Sequence, residues 1–181
     1  MKATGIVRRI DALGRVVIPK EIRRTMRIRE GDTLEIFTER DGEVIFKKYS
    51  PIGELTAFAA QYAETLHKTC ELSVVICDRD SVVASSGVSK KEYMDKRLSD
   101  ELERAMEKRT LYTHRQGEAK APVTADGGGH FVSCAMPIVS EGDIVGCVAS
   151  LQPTESDTAP ESVEMKLIQT AASFLGRQLE S

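Results

Sequence analysis

The stretch DALGRVVIPKEIRRTMRI, Asp11–Ile28, carries Arg15, Lys20, Arg23, Arg24 and Arg27, with Arg8 and Arg9 just upstream. Its apolar residues are nevertheless spaced for a core. Asp11-Ala12-Leu13-Gly14 supplies turn residues. The β-rich run Thr4–Ile10 before it and Arg15-Val16-Val17-Ile18 after it read as two strands, the second apolar on both faces. Pro19 suits the first position of a helix, where its missing N–H would have no intrahelical partner anyway. On that helix Ile22 and Met26 stand four apart on one face, while Arg23, Arg24 and Arg27 point elsewhere.

Moving outward, Glu30-Gly31-Asp32 ends this unit. Leu34–Glu39 and Glu43–Tyr49 then flank Arg40-Asp41-Gly42, where Asp-Gly signals a hairpin turn. A front segment of about 50 residues falls where a single core is marginal without a metal, disulfides or a partner chain. It has no cysteine and no metal-ligand spacing, so it is expected to fold as an obligate dimer. Charge divides at the same place. Residues 1–50 hold 12 Lys/Arg against 8 Asp/Glu, a balance of +4, and the remainder 13 against 20, a balance of -7, which together give the net -3. The front end is suited to an anionic partner and the back end is not.

No apolar run approaches the roughly 20 residues of a bilayer span, and the first residues lack the pattern of a secretory signal. A cytoplasmic protein without membrane association is expected. The four cysteines, Cys70, Cys77, Cys134 and Cys147, form no CxxC. Three of them lie in apolar, strand-like runs, where a free cysteine behaves as a small buried hydrophobe.

Beyond Ser50-Pro51 a helix is expected, with Ile52, Leu55, Ala59, Tyr62 and Leu66 at spacings of three and four. It could serve either its own domain or a dimer contact. Leu72–Cys77 and Val82–Ser85 read as strands about an Asp80-Ser81 turn, and Lys91–Lys108 as one helix. Ala125–Gly129 reads as a glycine-rich loop. His130–Val139 and Ile144–Leu151 pair around Ser140-Glu141-Gly142-Asp143. Thr154–Pro160 is a polar linker, and Glu161–Leu179 a closing helix. Strands in antiparallel hairpins with helices at the ends predict an α+β domain over residues 51–181.

Enzyme signatures are poor: there is no nucleophile elbow, no phosphate-binding loop and no HExxH. No catalytic residue, metal site or cofactor is expected. His130 and Cys134 lie four apart on a predicted strand, roughly 13 Å at about 3.3 Å per residue, too far to share a metal. Gly127-Gly128-Gly129 either cradles an anion or forms a mobile loop; no helix start follows it. The basic cluster differs because dimerisation would double it about a two-fold axis, matching the pseudo-symmetry of duplex DNA. Arginine's planar fork grips phosphate or guanine. No aromatic residue interleaves with these arginines, which disfavours stacking on single strands; an ordinary solvated surface is the alternative.

The sequence TGIVRRIDALGRVVIPKEIRRTMRIREGDTLEIF, followed by DGEVIFKKYSP, closely resembles the DNA-binding segment of the AbrB family of bacterial transition-state regulators. The resemblance implies a dimeric swapped-hairpin β-barrel over residues 1–50, two interleaved chains presenting arginines to double-stranded DNA. Position by position, the implied contacts are Arg8, Arg15, Arg23 and Arg24, with Arg9 where the family often has lysine. AMPIVSEGDIVGCVASL, Ala135–Leu151, resembles the late paired strands of GAF domains. The residue pattern of cyclic-nucleotide-binding GAF domains has no counterpart here, and the cysteines lack the spacing of methionine-sulfoxide-reducing ones. The whole chain is similar to two-domain sporulation regulators of endospore-forming bacteria. That implies a transcription factor, activator or repressor, working at the nucleoid of the forespore. It further implies a homodimer through the front domain, a homotetramer through the back one, tolerant readout of DNA shape and an unidentified small ligand. Two alternatives stay open: a protein-interaction module of the antitoxin kind, which shares the swapped-hairpin fold, and a GAF-type ligand-processing enzyme.

Overall fold

The computed structural model describes residues 5–180, and the chain divides into two compact units that meet between Tyr49 and Ser50. The N-terminal unit contains one helix, α1 (Lys20–Met26), and one hairpin, β1 (Leu34–Thr38) with β2 (Val44–Lys48). The hairpin runs in the register Leu34↔Lys48 to Thr38↔Val44. Its turn closes with the Gly42 N–H on the Glu39 carbonyl (3.2 Å), and Gly42 takes a φ of 79°, which the predicted Asp-Gly turn needs. Helix α1 starts one residue later than expected, with Pro19 as its N-cap. It ends on Arg27 in the left-handed conformation, where the Ile28 N–H reaches back to the Arg23 carbonyl (2.8 Å). The buried Asp32 carboxylate accepts from the Arg29 N–H (2.8 Å) and pairs with Lys48 (3.5 Å), tying the exit of α1 to β2.

The strands expected at Thr4–Ile10 and Arg15–Ile18 do not form: residues 5–10 and 15–18 are without regular structure, and Thr4 lies outside the described residues. A strand exists only beside a partner, and among the described residues the chain offers none to these segments. Their side chains stay in solvent, with Val7 84%, Ile10 71%, Leu13 75% and Val17 71% exposed. Of fifteen exposed large apolar side chains among the described residues, twelve belong to this unit, where Ile18, Ile22, Ile28, Leu34 and Ile45 are only half-buried, so by itself it leaves most of its apolar side chains in solvent.

The C-terminal unit encloses its core. Ser50 caps a short helix, α2 (Pro51–Glu54), by accepting from the Gly53 N–H (3.1 Å), and α3 (Thr56–Cys70) follows after a break at Leu55. The strands are β3 (Ser73–Cys77), β4 (Val82–Ser86), β5 (Tyr112–Thr113), β6 (His130–Ser140) and β7 (Asp143–Pro153), with helices α4 (Lys90–Tyr93), α5 (Asp100–Glu107) and α6 (Ser162–Leu179). The strands form one antiparallel sheet in the order β4-β3-β7-β6-β5. Alternation along each strand feeds two cores. Val74, Ile76, Cys134 and Val148 pack beneath α2, α3 and α6, while Val75, Cys77, Cys147 and Ala149 face Tyr93, Leu98, Leu102 and Met106 on the α4–α5 side. β6 and β7 turn over Glu141 (φ 50°) and Gly142 (φ 87°), consistent with the two-residue I′ type.

The single helix expected over Lys91–Lys108 is two. Asp95 takes a φ of 58°, and Ser99 restarts the chain as the N-cap of α5, its Oγ accepting from the Leu102 N–H (3.0 Å). The break lets Tyr93 turn fully inward.

Candidate nucleic-acid interface

Arg8, Arg9, Arg15, Arg23 and Arg24 are all exposed, whereas Arg27 and Arg29 are half-buried. Arg23 and Arg24 sit side by side in the last turn of α1, where cations are favoured at the negative end of the helix. Arg8 and Arg9 lie on the extended segment, and the Arg8 guanidinium donates to the Val7 carbonyl (3.1 Å).

Arg15 is held. The Asp11 carboxylate accepts from the Leu13 N–H (2.9 Å) and the Arg15 N–H (2.8 Å) through Oδ1, and from Arg15 Nε (2.7 Å) through Oδ2. The main chain closes the same loop, from the Asp11 N–H to the Arg15 carbonyl and from the Gly14 N–H to the Asp11 carbonyl, both 3.0 Å. Gly14 has a φ of 76°, a conformation that glycine adopts without cost. The bonds from Arg15, backbone first and then side chain, hold the Asp11 carboxyl below its usual range. Sequence reading recognised the turn but not this clasp; an aspartate two residues before one amide and four before another is the local signal that was available.

The C-terminal unit presents a second feature, a cavity of about 640 Å³ lined by Cys70, Leu72, Gln152, Thr158, Ala159, Glu161, Val163, Glu164 and Leu167. Side chains along it bond to one another. Ser150 donates to Glu164 (2.6 Å), Gln152 Nε2 to Ser133 (2.8 Å), and Ser156 and Thr158 both to Gln152 Oε1 (2.9 and 3.0 Å). Two carboxylates also line it, the exposed Glu161 and the half-buried Glu164 that Ser150 bonds. The linker that forms one wall is fastened from behind: Asp157 accepts from buried His114 Nε2 (2.8 Å) and the Gly117 N–H (3.1 Å), bonds that hold its carboxyl below the usual value.

The other chemical candidates find structural partners. Gly129 gives its N–H to the Glu92 carboxylate (2.7 Å), and the His130 N–H goes to the Tyr93 hydroxyl (3.1 Å). The triple-glycine loop is therefore pinned, with a carboxylate where an anion would have to bind. His130 faces Tyr93 (3.3 Å), and Cys134 faces Ser150 (3.2 Å). Burial pushes the Cys134 thiol up to about 12. Cys77 and Cys147 are register partners, both buried, and the Cys147 contact followed by burial raises the Cys77 thiol. Among the described residues no three His, Cys, Asp or Glu side chains gather as a metal site, and no helix is long and apolar enough to cross a membrane.

The family model for the stage V sporulation protein T C-terminal region, described as a transcription factor, matches residues 54–180. Over its whole length the chain is 53% identical across 182 residues to stage V sporulation protein T of Bacillus subtilis, covering 99% of each. The chain belongs to the stage V sporulation protein T family. In this member the N-terminal unit is 61% identical over 51 residues to the transition state regulatory protein AbrB of Bacillus subtilis, a match covering 28% of this chain and 52% of that one. The model for the bacterial antitoxin MazE, an antidote-toxin recognition family, matches residues 7–53. The C-terminal unit has the GAF fold: it resembles the GAF domain of an Acinetobacter phosphoenolpyruvate-protein phosphotransferase with a TM-score of 0.54, at 11% identity over 69% of this chain and 81% of that one.

Proposed function

We infer that this chain is a transcriptional regulator of sporulation genes that binds double-stranded DNA through its N-terminal unit. The carrying observation is the pairing, in one AbrB-like unit, of twelve exposed apolar side chains with the exposed arginines Arg8, Arg9, Arg15, Arg23 and Arg24. Apolar surface left open by one chain is closed by a second, and the partner strands missing at residues 5–10 and 15–18 are then supplied by a copy of the same segment in a swapped-hairpin dimer. Arg8, Arg9, Arg15, Arg23 and Arg24, repeated about the two-fold axis, face the duplex, positioned on the phosphates and in the major groove. The site of action is the nucleoid, in the cytoplasm of the developing spore. No catalysis is ascribed to the chain.

An antitoxin-like role uses the same N-terminal fold, but antitoxin tails are extended when free, and everything here after Ser50 is a folded domain with two buried cores. This favours the regulator.

The C-terminal units link dimers into tetramers through α3 and α6. There Phe58, Tyr62 and the exposed Phe174 form one aromatic cluster, with ring centroids 5.7–6.5 Å apart. At micromolar concentration the full chain should sediment as a tetramer and Phe174→Ser as a dimer. A wild-type monomer would overturn both contacts.

The cavity between β7, the linker and α6 is the place for a small ligand. Because Glu161 and Glu164 bring two carboxylates to its lining, it takes a donor-bearing organic cation. Adding short diamines to the full chain should raise its melting temperature, and Glu164→Gln should reduce that shift by at least half. A shift of equal size in the variant would remove the cavity from consideration.

A further inference from the structure

We propose that Asp11 is a positioning residue for DNA recognition, fixing the Arg15 guanidinium so that its Nη1–Nη2 end is presented to the duplex. The inference rests on the reading in which Arg15 faces DNA. The geometry is specific. Oδ1 of Asp11 fixes the turn through the Leu13 and Arg15 amides, and Oδ2 takes Arg15 Nε at 2.7 Å. Among the described residues neither Nη group of Arg15 has a protein partner. A guanidinium gripped at Nε keeps its planar end free, and that end offers two parallel donors to a phosphate or to guanine O6 and N7.

Two physical considerations set this apart from an ordinary surface pair. First, the side chains of Arg15 and Asp11 are 71% and 41% exposed, and an ion pair that open to water contributes little to stability. Second, a carboxylate inside a basic surface opposes attraction to phosphates at long range. Its net effect on binding is favourable only if what it gains by ordering Arg15 exceeds what it loses by its charge. An arginine held in its binding geometry before contact loses less side-chain entropy on association.

The two effects have opposite signs, so one substitution separates them. Asp11→Asn keeps an oxygen for the Leu13 and Arg15 amides and removes the charge and the charged bond to Nε. The probes are a duplex recovered from a randomised pool by the wild-type full chain and a bulk random-sequence duplex, both titrated at fixed salt. Asp11→Asn should weaken binding to the recovered duplex by about three- to tenfold, and binding to the random duplex by less. In an Arg15→Ala background the same substitution should leave affinity unchanged or tighten it, because only the charge effect remains. Tighter or unaltered binding by Asp11→Asn alone would overturn the proposal. So would equal weakening in both backgrounds, which would mean that the turn itself had been damaged. If the wild-type chain bound neither duplex, the DNA reading would fall together with it; if it bound and Asp11→Asn tightened it, the positioning role alone would fall.

Discussion

Raising monovalent salt from about 50 to about 200 mM should weaken binding of the full chain to duplex DNA by roughly 10³- to 10⁵-fold. The five candidate contacts of each chain, the exposed Arg8, Arg9, Arg15, Arg23 and Arg24, become ten in a dimer. If about 6–10 of them neutralise phosphates, the plot of log K against log salt falls with a slope of roughly -5 to -9. The slope also sorts the arginines by role. Arg23→Ala or Arg24→Ala removes two charges per dimer and, where the lost contact is to phosphate, should flatten the slope by about two. An arginine that reads a base edge should instead cost about 1–3 kcal/mol per site on the preferred duplex and far less on others. Titrations by fluorescence anisotropy at four or more salt concentrations measure both quantities. A slope near zero for the wild-type chain would end the DNA reading, since the balance of -7 over residues 51–181 gives the rest of the molecule no net electrostatic attraction to DNA.

How far the sequence reaches differs between the two units, and the reason is physical. In the C-terminal unit the apolar runs pair with each other within one chain, so Ser73–Cys77, His130–Ser140 and Asp143–Pro153 fall close to their expected places. The break between α4 and α5 was written there too, as Ser99 followed by Asp100, Glu101 and Glu103: a capping residue ahead of acidic residues in a first turn. Amphipathic spacing across Leu98, Leu102 and Met106 masked it, because burial on one side continues through the break. β5 is two residues long and exists only through its pairing with Cys134 and Ala135, which leaves no local periodicity to detect. In the N-terminal unit the reverse holds. The strands at residues 5–10 and 15–18 were legible as patterns and are absent from the single chain, because a pattern states what a segment can bury and not which molecule covers it. The arginines were legible by type, and their assignment as DNA contacts rests on the resemblance. The Asp11 clasp was not, because an aspartate in a turn looks the same whether its second oxygen faces water or an arginine.

Gly176→Ala should destabilise the C-terminal unit by about 2–4 kcal/mol, against the ordinary expectation for that substitution. In the interior of an exposed helix alanine is favoured over glycine by about 1 kcal/mol, and α6 continues to Leu179. Propensity alone therefore predicts a gain. Gly176 is buried, however, where α6 presses on β6, and a methyl group there would overlap the Val139 carbonyl oxygen. That oxygen belongs to the backbone of an 11-residue strand paired with β7 along its length, so it cannot turn aside as a side chain would. Relief requires α6 to lift, which opens the packing of Ile168, Ala171, Ala172 and Leu175 on the sheet. Overpacking of this kind costs about 1–3 kcal/mol and more where backbone must move, and the sum exceeds the propensity gain. Thermal unfolding followed by tyrosine circular dichroism reports chiefly on this unit, which holds Tyr62, Tyr93 and Tyr112 against Tyr49 in the other. The midpoint should fall by roughly 5–15 °C. Gly142→Ala is the internal comparison: its φ of 87° carries a backbone cost of about 1–2 kcal/mol, but open space surrounds the added carbon, so its drop should be the smaller. A Gly176→Ala variant as stable as the wild type, or more so, would mean that α6 stands further from β6 than the close approach at Val139 requires, and with it the geometry of the α3–α6 face proposed as the tetramer contact would have to be redrawn.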